Sequence, residues 1–241
     1  MKIIKSIAEK NKCFQQGERI KPRGLMLHSI GTPQPSAELM ARAFNVYQPN
    51  GASVCVHAFV GADGNVYQTL PWDYKAWHCG GSGNSSHIGV EMTEPNTIRY
   101  TSGASWVETA DGSNTKKHVL ATYEAAAELF AFLCTEFKLD PMADGVIISH
   151  AEGHKRGIAS NHGDVEHIWN KYGLSMEGFR KAVKSKMQVE NDEEREAIDF
   201  VKEKGIMLGF SETDFGEKEP VTRGQLARIL KRLYDKGEFK A

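Results

Sequence analysis

The residues of this chain best suited to catalysis are two histidines and two carboxylates. His28 and His150 each close a short apolar run, Glu91 closes another, and Asp164 follows in a histidine-rich segment. Strand ends are rigid positions from which side chains can be presented into a cleft. A catalytic zinc takes three nitrogen, oxygen or sulfur ligands and keeps one position open for water. His28, His150 and Asp164 could supply those ligands, and Glu91 could place a carboxylate beside the metal.

Other assignments of these residues stay open on the sequence alone. A single histidine at a strand end is more often an ordinary core or surface residue, so the metal site depends on the group as a whole. The stretch HAEGH, from His150 to His154, matches neither the H-E-x-x-H nor the H-x-x-E-H zinc motif. His162 and His167 flank Asp164 and could each replace it as third ligand, but the apolar residues after His167 favour packing there.

The elements that must position these residues alternate between strands and helices. Apolar or alternating runs predict strands, and apolar residues at intervals of three and four predict helices. The predicted strands cover 24–30, 87–93 and 144–152, together with a hairpin over 54–70 that turns at Asp63–Gly64. The predicted helices cover 37–47, 118–137 and 175–187. This order predicts an α/β or α+β domain with a sheet covered by helices.

The composition of the chain changes near residue 190. Residues 1–189 contain 20 basic and 18 acidic residues, whereas residues 190–241 contain 10 and 13, so the net charges are +2 and −3. We predict a large domain over 1–189 and a small helical module over 190–241, with a polar linker over 184–196. Within the module, helices are predicted over 194–206 and 221–234. Two helices of this size bury little core of their own.

Charge and composition argue against several classes of protein. The 30 basic and 31 acidic residues leave no basic excess of the kind that nucleic-acid binding requires. No stretch approaches the roughly 18 consecutive apolar residues of a transmembrane helix. The start of the chain lacks the apolar core of a secretory signal, so we expect synthesis in the cytoplasm. The four cysteines contain no C-x-x-C pair, so buried or free thiols are expected.

Five segments, taken in order, resemble a single enzyme family. They are LMLHSIG (25–31), VHAFVGADGNVYQ (56–68), KAWHCG (75–80), HIGVEMTEP (87–95) and the stretch from ISHAEGH to NHGDVEHIW (148–169). Together they are similar to the zinc-dependent N-acetylmuramoyl-L-alanine amidases, the family of phage endolysins, bacterial autolysins and peptidoglycan recognition proteins. The resemblance runs from about residue 20 to about residue 183. It implies an α/β fold with a mixed central β-sheet flanked by helices.

The resemblance also implies a role for each candidate residue. His28, His150 and Asp164 fall on the positions of the zinc ligands, so the implied cofactor is one Zn²⁺ per chain. Glu91 falls on the catalytic glutamate of the I-G-x-E segment. Many family members carry a lysine two residues before the third ligand, where it steadies the oxyanion that develops during hydrolysis. His162 occupies that position here.

The segment around residue 80 has a less certain role. Trp77 and His78 precede the glycine-rich stretch 79–86. Because glycine lets a backbone approach a ligand closely, this stretch could form a wall of the substrate groove, or it could be a flexible connection. The resemblance favours His78 as a groove residue and a partly structural Trp77, and we predict both as substrate-binding residues. Some family members carry a catalytic tyrosine where this chain has Val56.

The implied activity is hydrolysis of the amide bond between N-acetylmuramic acid and L-alanine in bacterial peptidoglycan. We expect a phage or prophage endolysin that reaches the cell wall through a holin-type pore. Two alternatives remain. One is a peptidoglycan-binding protein of the same fold without catalytic activity. The other is a zinc peptidase that cuts within the stem peptide.

The C-terminal module has a resemblance of its own. Residues 197–234 are similar to a single S-layer-homology motif, with its G-I-x-x-G-F turn and P-V-T-R helix start. Thr222 is the expected N-cap of the second helix. Such motifs bind cell-wall polymers or mediate self-association, and the sequence leaves both partners open.

Overall fold

The computed structural model describes residues 1–46, 54–109, 112–211, 215–217, 219–235 and 237. The chain forms two compact units, Met1–Met187 and Gln188–Ala241. No helix in the described part of the chain has the apolar length that a bilayer crossing would require.

The first unit is built on a sheet of six strands and a separate two-stranded hairpin. The strands are β1 (Lys2–Lys5), β2 (Gly24–Ser29), β3 (Ala58–Val60), β4 (Asn65–Gln68), β5 (His87–Met92), β6 (Ile98–Ser102), β7 (Ser105–Glu108) and β8 (Ile147–Ser149). The order across the large sheet is β1-β4-β3-β5-β2-β8, and β6 pairs with β7. Only β3 and β4 run antiparallel within the described part of the large sheet. The mixed, mostly parallel sheet confirms the expected fold class.

Helices cover this sheet and continue into the second unit. The described α-helices are α1 (Lys12–Gln16), α2 (Ala37–Phe44), α3 (Gly112–Phe137), α4 (His150–Lys155), α5 (Glu166–Trp169), α6 (Met176–Glu203) and α7 (Arg223–Asp235). Helix α3 begins six residues before the predicted start at residue 118. The last residue of the helix predicted over 37–47 lies outside the described residues.

Helix α6 shows that the predicted linker was wrong. Residues 184–196 are helical and form part of one helix, where two helices and a linker were expected. The segment lacks apolar periodicity, but it contains good helix formers and neither glycine nor proline, so nothing in it ends a helix.

The two faces of the sheet bury different side chains, because successive residues of a strand point to opposite faces. Leu25 and Leu27 of β2 lie in the main core with Phe130 of α3. Met26, between them, packs in a separate small cluster. His28 has the same parity as Met26, so it projects from the face opposite to the main core.

The second unit contains the end of α6 and all of α7. Gly205, with a φ of 60°, follows the end of α6. Thr222 caps α7 as predicted, since its Oγ1 accepts from the Gln225 amide at 3.2 Å. The Arg232 guanidinium donates to the Ile206 carbonyl at 2.9 Å and so links α7 to the turn after α6.

Candidate metal centre and active-site cavity

Three neighbouring parallel strands bring the predicted site residues to one edge of the sheet. Strand β2 lies between β5 and β8, and His28 of β2 is in register with Glu91 of β5. His150 is the first residue of α4, directly after β8. The carboxyl ends of parallel strands meet at such an edge and form the usual ligand crevice. Asp164 lies at the same place, where its carbonyl accepts from the Ala151 amide at 3.1 Å.

His28, His150 and Asp164 are the group in the described part of the chain that could hold a metal ion. The Nδ1 atoms of His28 and His150 are 3.0 Å apart. The Asp164 Oδ2 atom lies 3.3 Å from the first and 3.6 Å from the second. Tetrahedral zinc with bonds of about 2.0–2.1 Å separates its ligand atoms by about 3.3 Å. The donor set and its spacing therefore fit a zinc ion.

The protonation of these ligands also suits metal binding. Burial, together with the neighbouring His28, lowers the pKa of His150 to about 4. Burial alone would raise the pKa of Asp164, but the interactions of its carboxylate with His28 and His150 outweigh burial, so this pKa is lowered. A neutral imidazole and an ionised carboxylate are the forms that bind metals.

The carboxyl group of Glu91 lies beside the three candidate ligands. Its Oε2 atom is buried and has no hydrogen-bond partner among the described residues. Burial, and after it the charges of Asp164 and Glu94, raise the pKa of Glu91 well above its usual value. A carboxyl with a raised pKa, lining a cleft, is typical of a group that transfers protons.

A cavity of about 460 Å³ lies over the three candidate ligands and Glu91. Its wall also contains Gly103 and Ala104 from the turn between β6 and β7, together with His162. Cavities of about 300–1,000 Å³ commonly hold small ligands. The cavity can therefore admit part of a substrate to the group.

His162 and His167, the alternative third ligands, lie beside the group and not within it. The Nδ1 atom of His162 is 3.2 Å from Nε2 of His150 and 3.1 Å from the Ser160 hydroxyl. The Nε2 atom of His167 is 2.7 Å from the Tyr100 hydroxyl. The arrangement therefore favours Asp164 as third ligand.

Apart from His150, the side chains of the HAEGH segment make structural contacts. The Ser149 hydroxyl and the Glu152 carboxylate form a reciprocal cap at the start of α4. Glu152 also forms an ion pair with Arg180 at 3.0 Å. His154 is exposed and its Nδ1 lies 3.3 Å from the Ala159 carbonyl.

Trp77 and His78 occupy different environments although they are adjacent. The Trp77 side chain is 45% exposed, and it is not among the residues that line the cavity. His78 borders the cavity but is buried, with its Nδ1 atom 2.9 Å from Nε2 of His28. Burial is also the main reason that the pKa of His78 is lowered.

One part of the cavity wall was not predicted from the sequence. The Tyr100 hydroxyl donates to the Glu94 carboxylate at 2.9 Å, and burial raises the pKa of Glu94 to about 7. Tyr100 belongs to the β6–β7 hairpin, which the strand prediction missed. The Ser102–Gly103 turn dipeptide between two short alternating runs was the available signal. Val56, which stands where some family members carry a catalytic tyrosine, is apolar and buried, so it offers no hydroxyl to the site.

Comparison with known proteins identifies the family of this chain. The N-acetylmuramoyl-L-alanine amidase family matches residues 18–166, which is more than half of the 241 residues. The 1,6-anhydro-N-acetylmuramyl-L-alanine amidase AmpD of Salmonella typhimurium (strain SL1344) is 31% identical over 98 residues. This match covers 36% of the present chain and 50% of AmpD, so the chain spans about half the length of the curated relatives it matches.

Solved structures show the same fold at low sequence identity. The solution structure of the PlyG catalytic domain has a TM-score of 0.55 and 19% identity, covering 78% of this chain and 96% of that one. The Staphylococcus aureus hydrolase AmiA, in complex with its ligand, has a TM-score of 0.54 and 19% identity, covering 71% and 76%. The catalytic domain of XlyA has a TM-score of 0.51 and 18% identity, covering 76% and 99%.

Proposed function

The chain belongs to the N-acetylmuramoyl-L-alanine amidase family, and from this premise we propose that it is a zinc-dependent peptidoglycan hydrolase. Its reaction is cleavage of the amide bond between N-acetylmuramic acid and L-alanine. The observation that carries the proposal is the convergence of His28, His150 and Asp164 next to Glu91 in one cavity. Recognition of peptidoglycan alone would need neither an open ligand set nor a poised carboxyl.

The metal would be held by Nδ1 of both histidines and by the carboxylate of Asp164. When bound, zinc supplies a Lewis acid that polarises the scissile carbonyl and lowers the pKa of a water molecule to about 7. The side chains of His28 and Asp164 are only 1% and 13% exposed in this arrangement. This shielding strengthens the electrostatic interactions within the site.

Glu91 is the proposed general base and acid. It would accept a proton from the attacking water and later deliver a proton to the amine of L-alanine as that group leaves. Burial raises the pKa of Glu91, and a carboxyl with a raised pKa is suited to accept a proton and to return it.

His162 is the proposed oxyanion donor at the cavity wall. Its Nδ1 atom lies near His150 and Ser160, so Nε2 is the ring nitrogen that remains for a substrate oxygen. A well-placed donor to the developing oxyanion contributes about 3 kcal/mol to transition-state stabilisation. We also propose that the exposed Trp77 contacts the glycan or peptide outside the cavity, whereas the buried His78 contributes only to the cavity wall.

Mass spectrometry of digested peptidoglycan tests the proposed bond. The amidase releases intact stem peptides that begin with L-alanine and leaves free lactyl groups on the glycan. Shortened peptides would show a zinc peptidase instead, and an unchanged digest would show a binding protein. The Glu91→Gln protein, digested in parallel, controls for contaminating hydrolases.

Metal analysis tests the proposed cofactor. The purified chain should hold one zinc ion, and a chelator should remove both the ion and the activity. The His28→Ala protein should contain no zinc and should be inactive. Full activity in a metal-free His28→Ala protein would show that the zinc assignment is wrong.

We propose separate roles for two parts of the chain, with catalysis in residues 1–189 and attachment in residues 190–241. The attached partner would be a cell-wall polymer or a second copy of the module. Sedimentation of residues 190–241 with purified cell walls tests the first, and light scattering of the full chain tests the second.

We further propose that the protein acts as a phage or prophage endolysin. It would accumulate in the cytoplasm and reach peptidoglycan after release through a membrane pore. Expression in a bacterial host with and without a holin tests this, since lysis should require the holin.

A further inference from the structure

A glycine-rich loop lies directly behind the two candidate histidine ligands, and we call residues 78–84 the support loop. It is tied at both ends. The Asn84 Oδ1 atom accepts from the backbone amides of His78 and Cys79, each at 3.0 Å. The Gly83 amide donates to the Ile158 carbonyl at 2.9 Å. A Cβ at Gly81 would lie 2.4 Å from the same carbonyl oxygen, so glycine is needed for this close approach.

The imidazole of His78 connects this loop to His28. The Nε2 atom of His78 is 3.2 Å from the His87 carbonyl, and its Nδ1 atom is 2.9 Å from Nε2 of His28. A carbonyl only accepts hydrogen bonds, so a neutral His78 carries its proton on Nε2 and accepts through Nδ1. His28 must then donate from Nε2. The Nδ1 lone pair of His28 is thereby left for the metal.

A second connection runs from the loop to His150. The Ser160 hydroxyl donates to the Cys79 carbonyl at 3.1 Å, and the Ser160 amide donates to the same carbonyl at 2.8 Å. With its proton committed, the hydroxyl accepts from Nε2 of His150 at 3.2 Å. His150 therefore also keeps its proton on Nε2 and presents the Nδ1 lone pair.

We propose that the support loop fixes the tautomer of both metal-binding histidines, with His78 as the positioning residue for His28 and Ser160 for His150. This inference rests on the proposed metal site. It also accounts for Gly89 of β5, where a Cβ would lie 2.4 Å from Cγ of His78 and would displace the ring. Loss of such an outer partner commonly lowers metal affinity by about 10–100-fold.

Two isosteric replacements of His78 distinguish positioning from packing. An asparagine amide occupies about the place of Nδ1, and a glutamine amide occupies about the place of Nε2. His78→Asn keeps an acceptor for His28 and loses the bond to the His87 carbonyl, whereas His78→Gln does the reverse. If His78 only packed in the core and bonded the His87 carbonyl, His78→Gln would be the better replacement, because it keeps that bond and is closer to histidine in length.

The measurement is Zn²⁺ affinity of the full chain by competition with a chromogenic chelator, together with the Tm of each metal-free protein. We expect about a 10–100-fold weaker affinity for His78→Gln and less than about a 5-fold change for His78→Asn. Ser160→Ala should weaken affinity by a smaller factor, because Nδ1 of His162 also lies 3.2 Å from Nε2 of His150. His118→Gln is the matched control, since the hydrogen bonds of the His118 imidazole among the described residues go only to Thr93.

The possible results separate this inference from the proposed function. If His78→Gln and Ser160→Ala both bind zinc as tightly as wild type, the support loop does not position the ligands. Equal losses for His78→Asn and His78→Gln would also contradict the inference. A wild-type chain that binds no zinc would instead overturn the metal site itself.

Discussion

The two compact units differ in what they bury. Met1–Met187 contains all nine histidines and all four tryptophans of the chain, and many of these polar rings are buried in hydrogen-bonded networks. In Gln188–Ala241, Ile206 is the only buried residue among those whose side chains are described, and several large apolar side chains are exposed. Exposed apolar surface is typical of a segment that binds something. The first unit therefore combines the candidate catalytic residues with a dense core, whereas the second unit exposes apolar side chains to solvent.

The largest expected effect distinguishes the units by catalysis. Glu91→Gln should lower turnover by about 10²–10⁴-fold while zinc content stays at the wild-type level, because an amide cannot accept the proton of water. Glu203→Gln, at the end of α6 in the second unit, is the matched control and should leave turnover unchanged. Initial rates on soluble muropeptides measure both. Near-normal turnover in the Glu91 variant would exclude it as the base.

A matched pair on one helix distinguishes the units by stability. Phe179 of α6 is fully buried and contacts the rings of Tyr123, Phe130 and Trp169. Phe179→Ala should lower the free energy of unfolding by about 3–5 kcal/mol. Phe200→Ala, on the same helix, should cost less than about 1 kcal/mol, because Phe200 is 54% exposed.

Denaturant unfolding followed by far-ultraviolet circular dichroism measures this pair, because helices of both units contribute to that signal. Tryptophan fluorescence reports the first unit separately, since all four tryptophans lie there. An equal loss of stability in both variants would show that the division into two units does not describe the unfolding.

A third difference concerns pH. Burial lowers the pKa of His57 from 6.5 to about 4. Between pH 6.5 and about 4, His57 is protonated in the unfolded state but stays neutral in the folded state. The free energy of unfolding therefore falls as the pH falls through this range. This pKa difference corresponds to about 3 kcal/mol of unfolding free energy. The second unit has no histidine and lacks this contribution.

His57→Asn tests this contribution by comparison with wild type at pH 7.5 and pH 4.5, with EDTA present throughout. The stability lost between the two pH values should be smaller in the variant. Glu94, whose pKa is raised to about 7, acts in the opposite direction between pH 4.5 and 7, and it affects both proteins alike. An identical loss in both proteins would exclude His57 as the cause.

The smallest expected effect concerns removal of the second unit. A chain of residues 1–189 contains every proposed ligand and the whole of the first unit, so it should hydrolyse soluble muropeptides at close to the full-length rate. It should work more slowly on intact cell walls, because a tethered second contact raises the effective concentration at an insoluble surface. An insoluble or zinc-free truncated protein would show that residues 190–241 are needed for the first unit to fold.

Local patterns in the sequence predicted much of the first unit. The strands that lead to His28, Glu91 and His150 were recognised because each is a short apolar run, and the hairpin was recognised from Asp63–Gly64. The strand predicted over 144–152 extended too far, since β8 ends at Ser149 and His150 begins α4. The polar run over 184–196 was misread because weak apolar periodicity was taken to mean a linker, although its residues favour a helix. The β6–β7 hairpin was missed because its short strands alternate weakly.

The residue types alone determined which side chains could bind a metal. The sequence also determined which strand or helix each of them follows, because strand periodicity and helix capping depend on neighbouring residues in the chain. Only the tertiary structure shows that Asp164, and neither histidine beside it, lies at metal-ligand spacing from His28 and His150, because this grouping depends on distances between segments far apart in sequence. It also decided that His78 lies behind His28, 50 residues away in the chain. Such a contact leaves no periodic trace in the sequence, since it arises from the register of β2 with β5 and from the space left by Gly89.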